Sequence, residues 1–307
     1  MLNMICQNEN LETILETKGY KLCKCLSCKI IFAHKNKQKN LDSEKVYENY
    51  YKKETASRFG TIVEQVVKVF RFMCAYKVSN LNPRAKSILD IGSGRGWMLY
   101  FMRKYFKYNR TVGTQIALNA YIFSKKKLKL EIYNKDLLEL SFKDKFDIIS
   151  ILHVLEHVKN VELYVEKIHE LLNTKGLLFI EVPNYNAWVR RLTQKHWLAL
   201  DLKHHLIFFT PSSLIALLKK YNLETKKIRT FSLEYSTFTS TQSFVNLITD
   251  SDSYFFEWLQ DQNRNFNLKI IWHTFLFAVL FLPCFLINLC LYFSKSGEVI
   301  TIVAQKK

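Results

Sequence analysis

The chain has 307 residues, 49% of them hydrophobic, which excludes a disordered or fibrous polypeptide and provides for a sizeable core. A formal charge of +18 permits binding to phosphates, nucleic acid or an anionic membrane surface, but lysines run from Lys18 to Lys307 and read as a compositional bias, so no nucleic acid is expected as a partner. Seven cysteines, an odd number, set out no disulfide framework, and Met1 to Asn10 lacks an apolar signal core, so a reducing cytoplasmic setting is expected.

Residues 1–56 form a polar N-terminal region whose main feature is YKLCKCLSCKIIF, carrying Cys23, Cys25 and Cys28. Cys25 and Cys28 have the spacing of half a zinc knuckle, and Cys6 sits where a first half would begin. Asn8 and Glu9 stand where its second cysteine should be, so a degenerate knuckle without metal is expected. Apolar spacing then predicts a helix over 57–80, ending ahead of Asn82-Pro83 and covering a pocket beside the sheet.

From Ser87 onward the pattern alternates. Strands are expected at 87–92, 111–116, 130–133, 146–153 and 177–182, with helices at 97–107, 118–128 and 160–173. Right-handed crossovers make this a parallel sheet with helices on both faces, binding its ligand at the carboxyl ends of the strands. A helix from Ser212 to Tyr221, a strand near 226–232 and a last strand from Glu298 to Ala304 complete a core of 57–233 and 298–307, with 234–297 inserted.

The insertion contains Ile270 to Ser294, which has no charged residue and is bounded by Lys269 and Lys295. Its length meets the criterion for a membrane span, yet a crossing would strand Glu298 to Lys307 away from the sheet. Pro283 can break the helix into halves of roughly 18 Å, so a re-entrant or interfacial hairpin anchored by Trp272, Tyr292 and the lysines is expected over 270–294.

The stretch SILDIGSGRGW, Ser87 to Trp97, joins the first core strand to its helix through Gly92, Ser93, Gly94 and Gly96. Glycines let a ligand approach the backbone, and the helix start offers amide donors. Trp97 stands where a dinucleotide fingerprint carries its third glycine, and Asp90 suits a cationic ligand better than a pyrophosphate, which speaks against an NAD-dependent oxidoreductase. Gln115 and Ile116 end the second strand, and Gln115 can both accept and donate to a diol. Asp136 and Leu137 follow the third. The fourth strand, FDIISILHVLEHV, puts His153 at its tip and Glu156 and His157 in the next loop, where an imidazole can take a proton from a hydroxyl.

Asp90 to Gly96, read D-x-G-x-G-x-G, resembles motif I of the class I S-adenosylmethionine-dependent methyltransferases. The resemblance implies a Rossmann-like α/β fold with a seven-stranded, mostly parallel sheet. It implies S-adenosyl-L-methionine as the cofactor, held by Asp90, Gly92, Ser93, Gly94, Gly96, Gln115, Ile116, Asp136, Leu137 and His153. Gln115 departs from the acid that usually meets the ribose. The LEH run of Leu155 to His157 is similar to that of a bacterial group, some members of which act in ubiquinone or surface-glycan synthesis. That group's later segment is matched at Trp197, Leu200, Asp201, His205, Leu206, Phe209, Thr210, Pro211, Ser213 and Leu214. Lys203 and His204 replace its usual Pro and Arg, and Phe208 an additional His.

His205 thus joins Glu156 and His157 as a catalytic candidate. The run His153-Val154-Leu155-Glu156 is unlike the Asn/Asp-Pro-Pro-aromatic run of base amino-methylation, so an oxygen acceptor is expected. The function expected is O-methylation of a small-molecule, glycan or lipid-linked acceptor at the inner face of the cell membrane. The alternative is a non-catalytic basic module that binds nucleic acid or membrane.

Overall fold

Apolar β-branched runs alternating with amphipathic helices need burial on both faces of each strand, and a parallel sheet between helical layers supplies it. The computed structural model describes residues 10–17, 19–27, 29–35, 59–260 and 266–307. It contains a seven-stranded sheet made of β4 (Ser87–Ile91), β5 (Arg110–Thr114), β6 (Glu131–Tyr133), β7 (Phe146–Leu152), β8 (Leu172–Pro183), β10 (Leu223–Arg229) and β11 (Val299–Lys306). The order across it is β10-β11-β8-β7-β4-β5-β6. Only β11 runs against its neighbours, so the sheet is mostly parallel as expected.

Strand order reverses at β4, which pairs β5 on one side and β7 on the other. That switch point opens a crevice above the strand tips. Helices α2 (Trp97–Tyr105), α3 (Leu118–Lys126) and α4 (Val161–Leu171) make the crossovers, and the sheet separates two apolar clusters, one around Ile149, Val165 and Ile180 and the other around Ile88, Met102 and Phe179. Helix α1 (Thr61–Ser79) reaches over the strand tips through three cations or anions. Glu64 pairs with Arg95, Arg71 with Glu234, and Lys77 stands 3.9 Å from Glu181.

Strands β1 (Leu11–Thr17), β2 (Tyr20–Cys25) and β3 (Ile31–Lys35) form an antiparallel meander, and β9 (Ile207–Phe208) from the core adds to its edge. Cys23 and Cys25 are buried there, while Cys6 and Cys28 lie outside the described residues. Helix α5 (Trp188–Thr193) follows β8 and α6 (Pro211–Lys220) follows β9, the latter starting on a Thr210–Ser213 capping box. The strand expected near 226–232 begins three residues earlier, because Leu223 already pairs with Lys306.

Between β10 and β11 stand α7 (Ser236–Thr249), α8 (Tyr254–Gln260) and α9 (Leu268–Phe293). The hairpin expected over 270–294 is corrected here: α9 is one continuous helix of 26 residues with Pro283 inside it. Packing explains the difference. His273 before Pro283 and Cys284 and Asn288 after it are buried on one stripe against the body, whereas Pro283 is exposed on the far side. Neighbouring contacts on both sides of a proline hold a helix together across the lost hydrogen bond.

Candidate active site

The glycine loop lies between β4 and α2. Gly92, Gly94 and Gly96 have φ of +70°, +56° and +74°, values that L side chains adopt at a cost. A Cβ on Gly92 would sit 2.3 Å from Val154 Cγ2, and one on Gly96 2.6 Å from Leu130 Cδ1. Gly92 N donates to Thr114 Oγ1 (3.2 Å) and Ser93 N to Thr114 O (2.9 Å), which ties the loop to the tip of β5. No side chain caps α2, so its first amides face the crevice as donors.

Asp90 is buried in β4 and its Oδ1 accepts from Ser150 Oγ at 2.7 Å. Burial pushes its carboxyl up to about 7, against the pull of that hydrogen bond and of Arg71. Gln115 is buried at the end of β5. Its Oε1 accepts from Ala117 N at 2.9 Å, and Asn134 Nδ2 holds the carbonyls of Gln115 and Ile116 at 2.7 and 3.0 Å. Asp136 caps a short turn, accepting from Leu138 N at 2.9 Å and from the Tyr164 hydroxyl. Leu137, beside it, is in the core. A narrow cradle that side chains would fill, an acid at its floor and polar groups at two successive strand tips fit a nucleoside-bearing, positively charged cofactor.

Opposite the loop, His153 closes β7 in a left-handed conformation (φ +52°) and its ring lies 4.0 Å from that of Tyr235. Its Nδ1 is 3.6 Å from Glu156 and its Nε2 3.4 Å from Glu181. Burial disfavours the charged ring, but the two carboxylates outweigh it and raise His153 to about 9. Burial likewise opposes charge on Glu156 and Glu181, yet His153 between them, aided at Glu181 by Lys77 and Thr301, holds both at about 2. A cationic imidazole clamped between two carboxylates results.

Glu156, His157 and His205 meet just beyond this clamp. Leu206 N donates to Glu156 O at 2.8 Å, which seats the 201–206 segment on the LEH turn. His157 Nδ1 donates to His204 O and His205 Nδ1 to Ala199 O, both at 2.9 Å, so each neutral ring carries its basic nitrogen at Nε2. The rings are 4.8 Å apart, and the donor atoms of the two rings and Glu156 all lie within 4.8 Å of one another. Burial, with His205 nearby, lowers His157 to about 4 despite Glu156. One carboxylate and two imidazoles can remove a proton or hold a divalent cation.

Other residues of the sequence pattern serve the frame. Trp197 Nε1 donates to Glu298 at 2.7 Å, tying the segment to the start of β11, and His204 Nδ1 lies 2.5 Å from Asp201. Glu181, Tyr235 and Arg71 were absent from the candidates read in the sequence. Glu181 carried a signal, a lone acid in the apolar run LLFIEV, whereas Tyr235 and Arg71 come from helical and loop segments with no motif.

A glycine cradle and an imidazole cluster facing each other across the switch point of a doubly wound sheet define an α/β enzyme that uses a nucleoside cofactor. Residues 67–228, just over half of the chain, match a family described as a methyltransferase domain, and the chain belongs to that family. It is a class I S-adenosylmethionine-dependent methyltransferase, as motif I implied. The ubiquinone biosynthesis O-methyltransferase of Pelagibacter ubique is 27% identical over 207 residues, which are 62% of this chain and 83% of that protein. The (S)-coclaurine N-methyltransferase of Papaver somniferum is 33% identical over 102 residues, covering 31% of this chain and 29% of that protein. Among solved structures, the O-methyltransferase from a trans-AT PKS multienzyme of Brevibacillus brevis, in complex with S-adenosyl-L-homocysteine, has a TM-score of 0.50 at 14% identity and covers 88% of this chain and 81% of that one. The fold is shared.

Proposed function

We propose that this methyltransferase acts on a hydroxyl of a small-molecule, glycan or lipid-linked acceptor met at the inner face of the cell membrane. The observation that carries the reading is the cluster of Glu156, His157 and His205, whose turn follows Val154, the residue that a Cβ on Gly92 would strike at 2.3 Å. The name of the Pelagibacter relative, an O-methyltransferase acting in ubiquinone synthesis, supports an oxygen acceptor of small size. An apolar helix long enough to cross a membrane supports the surface setting.

S-adenosylmethionine, when bound, supplies an electrophilic methyl group on its sulfonium. Gly92, Ser93, Gly94 and Gly96 form the cradle for it. Asp90 sets a negative floor, Gln115 and Ile116 meet the ribose side, Asp136 and Leu137 wall the adenine side, and His153 borders the transferring end. His205 takes the acceptor proton, and the ionised Glu156 beside it stabilises the imidazolium that forms. His157, neutral above pH 4, orients the hydroxyl. The work of the chain is alignment and one proton transfer, since displacement at a sulfonium needs no covalent intermediate.

The same three donors favour a second reading, in which they hold a divalent cation that lowers the acceptor hydroxyl's pKa. The full chain incubated with methyl-labelled S-adenosylmethionine and separate lipid and aqueous cell extracts tests both. Label in an alkali-stable ether, unaffected by EDTA, supports the proton-transfer reading; loss with EDTA and recovery on adding magnesium supports the cation. Label on an amine or on nucleic acid would overturn the oxygen-acceptor assignment.

A further inference from the structure

Helix α9 is turned inside out. Its buried stripe includes His273 and Asn288, at 1% and 0% exposure, and Asn288 Nδ2 donates to Ser240 Oγ of α7 at 2.9 Å. On the same side Phe277 lies 5.2 Å from Phe238 and 4.8 Å from Phe255. The outward stripe is Trp272, Phe275, Val279, Leu282, Leu286 and Phe293, all exposed. Only 11% of the most apolar 18-residue window is buried. A soluble helix sorts its residues the other way.

The occupant of that face can be read from its flanks. Two copies pairing as a coiled coil bury one stripe and carry charge beside it. Here the neighbouring Ile271 and Phe281 are also exposed, and no charged residue falls between Lys269 and Lys295. A wide, uncharged band about 39 Å long, with a lysine at each end and Trp272 and Tyr292 near them, matches lipid. The chain's charge of +18 favours anionic headgroups.

The mode of contact follows from what holds the two ends. Asn267 caps the first turn and donates to Tyr254 Oη at 3.1 Å, while at the far end Trp188 N donates to Ser296 O at 2.9 Å, three residues before β11 enters the central sheet. Both ends and the polar stripe stay on one body. A crossing would draw the buried hydroxyls and amides of α7, such as Thr241, Gln242 and Asn246, into hydrocarbon.

We propose that the outward face of α9 lies flat in the headgroup and upper acyl layer of an anionic bilayer, as an in-plane helix and not a span. This rests on the membrane-surface reading above and deepens it by naming the partner and the orientation. Tyr235, whose ring lies 4.0 Å from that of His153, immediately precedes α7, so the lipid-facing helix and the proposed acceptor side share one support.

The test uses the full chain and flotation with phosphatidylcholine vesicles, with and without 30% phosphatidylglycerol. The wild-type chain should float with the anionic vesicles. A fourfold variant, Phe275→Ser, Val279→Ser, Leu282→Ser and Leu286→Ser, should lose at least ~10-fold in partitioning, because each change removes apolar area from the lipid-facing stripe. Brominated lipids should quench Trp272, read against Trp272→Phe, most strongly when the bromines are shallow. Equal flotation of the variant, strongest quenching by mid-bilayer bromines, or a wild-type dimer that the variant dissolves would each overturn the proposal. The thermal shift given by S-adenosylhomocysteine is measured in parallel. Its loss in the wild-type chain would count against the enzymatic reading alone, and its retention in a variant that no longer floats separates the two.

Discussion

The two banks of the crevice are built differently. On the cofactor side, across β4, β5 and β6, polar groups are satisfied by close neighbours in sequence or on the adjacent strand: Gly92 N by Thr114, Gln115 Oε1 by Ala117 N, Asp136 Oδ1 by Leu138 N. On the acceptor side, Glu156 is 1% exposed yet neither of its oxygens has a hydrogen-bond partner among the described residues; the cationic His153 at 3.6 Å holds it by charge, with the neutral His157 at 4.0 Å. A buried carboxylate in that state is costly unless a cation or donor completes it. The polar groups proposed for the cofactor are therefore satisfied within the chain, whereas Glu156 keeps acceptor capacity that a donor on the proposed acceptor side can use.

Gly92→Val should break the comparison most severely, because Gly92 touches both banks. The left-handed backbone alone costs about 1–2 kcal/mol, and the new Cβ meets Val154, next to His153, at 2.3 Å. Calorimetry should show S-adenosylhomocysteine binding weakened more than ~100-fold, an energy of about 2.7 kcal/mol. Adding Val154→Ala should recover part of this, since it removes the collision but not the backbone conformation.

His205→Asn should divide the banks cleanly. Loss of a general base lowers kcat by about 10²–10⁴, while the dissociation constant of S-adenosylhomocysteine should stay within about threefold, as His205 is held by Ala199 O and not by the glycine loop. Single-turnover rates and calorimetry on one preparation check both halves. A parallel fall in cofactor affinity would mean that the banks are one unit.

Legibility in the sequence follows the same division. The residues proposed for the cofactor could be named from the sequence because each part is local: Asp90 to Gly96 is one turn, Gln115 directly follows β5 and Asp136 caps the turn after β6. The helix α9 was visible as an apolar run, but Pro283 suggested a break that packing on both sides overrides. His205 was readable only through a resemblance, and nothing in its spacing from Glu156 and His157 said that a β9 pairing and the Leu206–Glu156 bond would bring residues 48 apart into ring contact. Glu181 and Tyr235 complete the clamp on His153 from β8 and the loop before α7, which no local pattern connects.

That clamp sets a pH dependence. His153 is raised to about 9, above its ordinary 6.5, so the stability it contributes is full below about 6.5 and is lost as pH rises through 9. Glu156 and Glu181, held near 2, contribute above about 4.5 and fail only as pH falls through 2. Glu181→Gln removes one carboxylate from a buried cation and should cost about 3 kcal/mol near pH 6. Its deficit in melting temperature relative to wild type should shrink as pH rises toward 10, where the wild-type pair has also discharged. A deficit that stays constant from pH 6 to 10 would mean that Glu181 acts through Thr301, which donates to it at 2.8 Å, and not through His153.

The smallest effect should come from Asp136→Asn, and it tests how complete the cofactor bank is. Both oxygens of Asp136 are engaged within the chain, one by Leu138 N and the other by the Tyr164 hydroxyl. Asn and Asp are near-equal N-caps, so the turn that carries Leu137 should keep its place with a change of a few tenths of a kcal/mol. The amide can present its oxygen to Leu138 N and its nitrogen to Tyr164, whose hydroxyl then accepts instead of donating. If Asp136 serves the adenine side by shaping its wall, the affinity for S-adenosylhomocysteine should fall less than about threefold. If an adenine amino group instead relies on the carboxylate charge, the loss should approach the tenfold or more of a charge-assisted hydrogen bond, and adding Tyr164→Phe to the wild-type chain should then tighten binding by freeing that oxygen.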